Sequence, residues 1–286
     1  MSKIGNVGFV QKTISTHQFK IKKKFGQNFL TDNAILNQIV DASGVTKQDA
    51  VIEIGPGLGA LTELLCERAG FVLAYEVDQD LLPILHQNLE EYINYKILLK
   101  DILKANVKED IQTYLSEYTN IYVVANLPYY ITTPILTELL SQSLPIQRYI
   151  MMMQLEVANR ICGKPSTKEY NALSVWVEYR AKATKILKVP RSVFVPAPNV
   201  DSAVVQLEVY KELPLVAEDE ATFSTLIRQC FSQRRKTLFN NLCLKYDKEF
   251  VQKMLADLHL PATIRAEALS LDVFVQMSNY LTQNKR

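Results

Sequence analysis

Nowhere in the chain do apolar residues run on for the roughly 18 positions that a membrane-crossing helix requires, so no membrane span is expected. Cysteine is scarce. Cys66, Cys162, Cys230 and Cys243 stand far apart without a Cys-x-x-Cys pair, which argues against a zinc site and against a disulfide framework. His17, His86 and His259 are equally scattered, so no metal is expected. Reduced thiols in a cytoplasmic protein are the consistent reading. Acid is missing from residues 1–31 altogether, but so is Arg, the first being Arg68. A secretory leader would place an apolar stretch ahead of the basic cluster, and a transit peptide would be Arg-rich. Residues 1–25 therefore read as a basic arm, flexible or late to order. Internal repeats and low-complexity segments are also missing.

The remaining composition is that of a globular protein, 48% hydrophobic and 22% charged over 286 residues, enough for one large domain and a small one. Net charge is only +2, but basic residues gather in acid-free stretches. One runs from Lys3 through Lys22, Lys23 and Lys24. A second holds Arg180, Lys182, Lys185, Lys188 and Arg191. A third holds Arg228, Arg234, Arg235, Lys236 and Lys245. Such patches are either ordinary solvated faces or the footprint of a polyanion partner.

Seven short apolar segments read as strands: Val51–Ile54, Phe71–Tyr75, Tyr95–Leu99, Ile121–Ala125, Tyr149–Met153, Thr184–Val189 and Ala203–Tyr210. Helical periodicity fills 34–43, 60–69, 79–91, 134–141 and 170–180 between them. Strands alternating with helices imply a mainly parallel sheet covered on both faces. Beyond Pro214 and the acidic Glu218-Asp219-Glu220 the pattern turns wholly helical, with helices expected over 222–242, 247–259 and after Leu271. The expected domains are the arm, an α/β catalytic domain over 26–210 and a small all-α domain over 211–286.

Val51-Ile-Glu53-Ile-Gly55-Pro-Gly57-Leu-Gly59 takes a buried strand into a glycine-rich turn and then a helix. The third glycine comes one residue too early for the G-x-G-x-x-G dinucleotide fingerprint, which argues against an NAD-dependent oxidoreductase. The E-x-G-x-G-x-G order resembles the first motif of Rossmann-like methyltransferases, whose loop curves around the methionine part of S-adenosylmethionine. Glu76 ends the second strand, where a carboxylate can accept both ribose hydroxyls. Asp101 ends the third, where it can accept the adenine amino group of the cofactor. The fourth strand runs into Asn126-Leu127-Pro128-Tyr129. This resembles the motif of methyltransferases that modify exocyclic amines of bases. An adenine N6 lone pair is delocalised into the ring, so it needs acceptors for its N–H bonds. The Asn126 side-chain oxygen and the Leu127 carbonyl can serve, Pro128 stiffens the turn, and Tyr129 offers a stacking face worth about 1–3 kcal/mol. The face of that ring is expected to matter more than its hydroxyl.

Over nearly its whole length the chain resembles the bacterial small-subunit ribosomal RNA adenine dimethyltransferases, the kasugamycin-sensitivity family. Four further segments carry the likeness: Lys24-Phe-Gly-Gln-Asn28-Phe-Leu30, Gln154-Leu-Glu156-Val-Ala-Asn-Arg160, Phe194-Val-Pro-Ala-Pro-Asn-Val-Asp201-Ser-Ala and Phe231-Ser-Gln-Arg234-Arg235-Lys236-Thr237. The resemblance implies a Rossmann-like class I methyltransferase that dimethylates adenine N6 in small-subunit ribosomal RNA during ribosome biogenesis. It implies S-adenosylmethionine as cofactor, held by Asn28, Leu30, Gly55, Gly57, Glu76, Asp101 and Asn126. Phe194 would form the second wall of the base pocket opposite Tyr129. RNA contacts would come from Lys22, Lys23 and Lys24 and from a basic helix carrying Arg234, Arg235 and Lys236. A monomer acting on the immature small subunit is expected. Leu155 and Asn199 stand where the family more often has Lys, which puts local RNA contacts there in doubt. A large-subunit enzyme conferring macrolide resistance would share fold and chemistry but more commonly has Ile at the position of Leu127. A mainly non-catalytic ribosome-assembly factor is the remaining alternative.

Overall fold

Buried strands alternating with amphipathic helices produce a single seven-stranded sheet. The structure, a computed structural model, describes residues 3–284, and of Lys23 the backbone alone. In chain order the strands are β1 (Phe29–Leu30), β2 (Ala50–Ile54), β3 (Phe71–Glu76), β4 (Tyr95–Leu99), β5 (Ile121–Asn126), β6 (Ile146–Gln154), β7 (Ala181–Val189), β8 (Phe194–Val195) and β9 (Ser202–Val209). The sheet order is β4-β3-β2-β5-β6-β9-β7. β2 to β6 pair in parallel and β9 runs antiparallel to β6. β1 and β8, too short to leave a periodic signal, form a separate antiparallel pair. All five residues of β2 are buried, as a central strand covered on both faces requires. No helix among the described residues is long and apolar enough to cross a membrane.

Register places the chemistry. Ile54 lies opposite both Tyr75 and Ala125, and Glu76 lies opposite Leu99. Gly55, Glu76, Asp101 and Asn126 therefore leave the sheet at its carboxyl edge, where open α/β sheets bind ligands.

The chain forms two compact units: one runs to Ala158 and resumes over Thr184–Val209, and the other combines Asn159–Ala183 with the segment from Tyr210 onward. Residues 159–183, expected in the catalytic domain, belong instead to this second unit. Their apolar side chains bury there: Tyr170, Val175, Trp176 and Tyr179 share a core with Phe223, Leu226, Met254 and Phe274. Arg180 stacks on Trp176 and Tyr179, 5.1 and 5.3 Å from their ring centroids, and is paired with Glu220.

Two local expectations give way, and one helix is added. The arm is ordered: Val7–Thr16 is a helix capped by Asn6, and Ile4, Val10 and Phe19 are buried against Leu58, Leu81 and Leu85. Lys3 and Ile4 donate their backbone N–H groups to Glu63, each at 3.2 Å. Basic composition masked an apolar stripe at Ile4, Val10 and Ile14. The helix expected over 222–242 is two helices, Glu220–Cys230 and Leu238–Leu242, so the basic segment between them is a loop. Buried Asn241 clamps that loop, donating to the carbonyls of Cys230 at 2.7 Å and Gln233 at 3.2 Å. Thr237 caps the second helix by accepting from the Asn240 N–H. A helix absent from the sequence reading, Val107–Tyr114, is capped by Asn106 and shows only two buried apolar positions, Val107 and Ile111.

Removing one large buried aromatic costs about 3–5 kcal/mol, against roughly 5–15 kcal/mol for a whole domain. Residues 210–286 expressed alone lack Tyr170, Trp176 and Tyr179. Far-ultraviolet circular dichroism of that fragment should show no cooperative thermal transition; a sigmoidal melt would mean that 159–183 is dispensable to the helical core.

Candidate active site

A cavity of about 410 Å³ opens at the carboxyl edge of the sheet. Its floor is the glycine-rich turn after β2. Gly55 and Gly57 sit at φ +71° and +61°, and a Cβ at Gly57 would lie 3.2 Å from the Phe29 ring. A side chain there would be strained by its backbone and crowded by the aromatic wall. Asn28, Leu30, Gly55, Gly57, Glu76 and Asp101 all line the same cavity, as does Asn126, so every expected cofactor residue is brought together.

Acid dominates the cavity. Glu76 is buried, and its Oε1 accepts the N–H groups of Val77 and Asp78, both at 2.8 Å. Burial pushes its carboxyl up, with those backbone donors opposing. Asp101 accepts the Leu103 N–H at 3.1 Å. Glu53, 1% exposed, has no donor for its Oε2 among the described residues. Burial, reinforced by the nearby Glu76 carboxylate, pushes Glu53 up to about 8. Lys100 also lines the cavity, but its ammonium is taken by Asp110 at 2.7 Å.

The Asn126–Tyr129 turn is fixed at both ends. The Leu127 N–H donates to the Met152 carbonyl at 3.0 Å, and the Pro128 carbonyl accepts from Ile131 N–H and the Thr132 hydroxyl. Asn126 Nδ2 donates to the Asn28 carbonyl at 3.2 Å. Among the described residues, neither Asn126 Oδ1 nor the Leu127 carbonyl accepts a hydrogen bond. Two acceptors thus stand unused beside the half-buried ring of Tyr129. That ring's hydroxyl is not idle: it lies 2.5 Å from Ser202 Oγ.

These features can be set beside known proteins. The sequence profile described as ribosomal RNA adenine dimethylase matches residues 18–283. The chain belongs to that family. A ribosomal RNA small subunit methyltransferase A from Bacillus licheniformis is 45% identical over 278 residues, 96% of this chain and 95% of that one. Among solved structures, a dimethyladenosine transferase from Plasmodium falciparum superposes with a TM-score of 0.75 at 25% identity, over 89% of this chain and 97% of that one. The 23S rRNA methyltransferase ErmE does so with a TM-score of 0.68, also at 25% identity, over 89% and 100%.

Family membership does not fix where each expected residue falls. Phe194 does not line the cavity: it is buried in the core, opposite Leu30 in the β1–β8 pair and among residues such as Leu36, Val124 and Met152. The aromatic residues that do line it, besides Tyr129, include Phe25, Phe29 and Tyr130. Tyr130 is 56% exposed, and its phenol is held up by burial and by the carboxylates of Asp101 and Glu76. Sequence reasoning passed over it because only the first tyrosine of the Tyr129-Tyr130 pair belongs to the motif. Ser202 carries one sequence signal, a hydroxyl opening the otherwise apolar run Ala203-Val-Val.

The basic residues also divide. Lys22 is committed to Asp78 and Asp80, and Gln27 donates to the same Asp78 at 2.7 Å, so this lysine latches the chain ahead of β1 to the end of β3. Lys24 lies over the Phe25 ring at 4.7 Å; the side chain of Lys23 is outside the described residues. Arg234 is held by Glu267 and the Lys168 carbonyl. Arg235 and Lys236 are exposed, and among the described residues their side chains make no hydrogen bond or ion pair. Leu155 donates its N–H to the Asp201 carbonyl, and the Asn199 carbonyl accepts from Arg191, so both departures from the family pattern have backbone roles.

Glu53 carries a pH signature. Its folded-state pKa lies above the ordinary carboxyl value, so the folded protein holds a proton that the unfolded chain releases. Stability should fall as pH rises from about 4.5 through 8 and level off above. Glu53→Gln, which cannot ionise, should gain in melting temperature over the wild type as pH is raised from 5 to 8, without cofactor. A gap that does not change with pH would mean that Glu53 titrates normally.

Proposed function

We propose that the chain transfers methyl groups from S-adenosylmethionine to the exocyclic N6 of adenines in small-subunit ribosomal RNA, dimethylating two adjacent adenines during ribosome biogenesis in the cytoplasm. The pair of unused acceptors, Asn126 Oδ1 and the Leu127 carbonyl, beside a carboxylate-lined cavity carries this reading. The relative named a small subunit methyltransferase, similar over nearly the full length, favours the small-subunit RNA over the 23S substrate of the equally folded ErmE.

The residues fit the cofactor. Glu76 and Asp101 give the cavity a negative lining suited to a ligand that carries a sulfonium and an ammonium, and Glu53, whose carboxyl burial pushes up to about 8, adds an Oε2 without a partner among the described residues. When bound, the cofactor supplies a methyl group on a sulfonium with a good leaving group. Gly55 and Gly57 would let the backbone approach it, and Glu76 and Asp101 would accept its hydroxyl and amino donors. Asn126 and Leu127 would each accept one N–H of the target amine, drawing the nitrogen toward tetrahedral geometry. Tyr129 would stack on the flipped base. In-line displacement then needs positioning more than a strong base.

Two measurements test the two halves of this reading. Asn126→Ala should lower the single-turnover rate on small subunits by about 10²-fold or more, while RNA affinity stays close to wild type. Dimethylation at the normal rate would end its assigned role. Arg235→Ala with Lys236→Ala should weaken subunit binding and reduce the slope of log affinity against log salt by about 1 per lost phosphate contact. An unchanged slope would place the RNA elsewhere.

A further inference from the structure

Ser202 is fully buried, the first residue of β9, and opposite Gln154 at the end of β6. Because β9 runs antiparallel to β6, its start lies at the same carboxyl edge at which β5 delivers the Asn126–Tyr129 turn. Ser202 is thereby brought to a tyrosine 73 positions earlier in the chain, hydroxyl to hydroxyl at 2.5 Å. The following residues, Ala203, Val204 and Val205, are apolar and buried, and an alanine would satisfy the packing at 202 equally well. A buried hydroxyl is unfavourable unless it is hydrogen-bonded, and this one has Tyr129 as its partner. The Tyr129 ring is accordingly held at two points: through its backbone, by the bonded turn on either side, and through its far end, by Ser202. The phenolic oxygen lies on the ring axis, so the bond to Ser202 fixes where that axis points, and the preference of a phenolic O–H for the ring plane favours the face that keeps Ser202 Oγ in that plane before any base arrives.

We propose that Ser202 is a positioning residue for methyl transfer: it locks the Tyr129 ring in the plane on which the flipped adenine stacks, so that N6 meets Asn126 Oδ1 and the Leu127 carbonyl in line with the methyl donor. The proposal rests on the base-stacking role given to Tyr129. It reverses the expectation that the Tyr129 hydroxyl is dispensable, since Tyr129→Phe breaks the same lock from the other side.

The experiment uses the full-length protein labelled with fluorotyrosine, with Ser202→Ala, Ser202→Thr, Tyr129→Phe, the Ser202→Ala/Tyr129→Phe double variant and Tyr129→Ala. The resonance lost in Tyr129→Phe identifies the ring, and Ser202→Ala should shift it without ligand. In single-turnover assays with labelled S-adenosylmethionine and small subunits from a strain lacking the activity, Ser202→Ala and Tyr129→Phe should each slow transfer by about tenfold, and the double variant by no more than either. Cofactor affinity and melting temperature should stay near wild type, and Ser202→Thr, which keeps the hydroxyl, should recover most of the rate. A full rate in Ser202→Ala with Tyr129→Ala inactive would overturn the positioning role and leave the stacking role intact. Additive losses in the double variant would overturn the coupling. A full rate in Tyr129→Ala would remove the stacking role and the proposal with it.

Discussion

The parallel register of β2, β3 and β5 is the constraint on which the rest depends. A parallel sheet ends all its strands on one side, and each strand here ends in a group that polar chemistry can use: Gly55 after β2, Glu76 on β3, Asn126 on β5. None of these side chains needs a neighbour in sequence to reach the others. A one-residue slip of β5 against β2 would move Asn126 out of line with the glycine turn and turn Val123 and Val124 to opposite faces. The burial of all five β2 residues, and of Val123 and Val124 beside them, is what makes such a slip expensive.

The cavity is lined by the carboxylates of the buried Glu76 and of Asp101, while Arg235 and Lys236 are exposed on a loop of the helical unit. For a protein whose partner is a polyanion, the acidic cavity has a selective consequence. Phosphate is repelled from it, and an uncharged base is not. The backbone of an RNA is thereby kept outside while a single unstacked base can enter, the condition that chemistry on a flipped nucleotide demands. The small net charge of +2 conceals this arrangement.

Much of this could be read from residues alone, for identifiable reasons. Most strands of the sheet are marked by apolar runs such as Val123-Val124-Ala125, and the glycines that line the cavity by turn chemistry that few other sites would require. Phe194 shows where that reading stops. Its aromatic character agrees with a base-pocket wall, but the β1–β8 pairing that turns it into the core involves two residues a side, too few to leave a pattern. Lys22 looks like any basic-arm residue until the fold brings Asp78 and Asp80 to it from the turn after β3. The break at 231–237 is similarly hidden, because it depends on Asn241 reaching back to the carbonyls of Cys230 and Gln233. In each case the deciding partner is distant in sequence, and periodicity reports only on near neighbours.

The helical unit draws its core from two stretches of chain, and synthesis is vectorial. Trp176 and Tyr179 emerge from the ribosome well before Phe223, whose ring they meet, and Phe274, which shares their core. At about 5–20 residues per second, the last of these follows Trp176 by roughly 5–20 s. During that interval a cluster of large apolar side chains has no cover of its own, although the sheet strands preceding it are already complete. The newborn chain thus passes through a stage with a finished catalytic half and an exposed aromatic flank, a natural handle for chaperones and, in their absence, for aggregation.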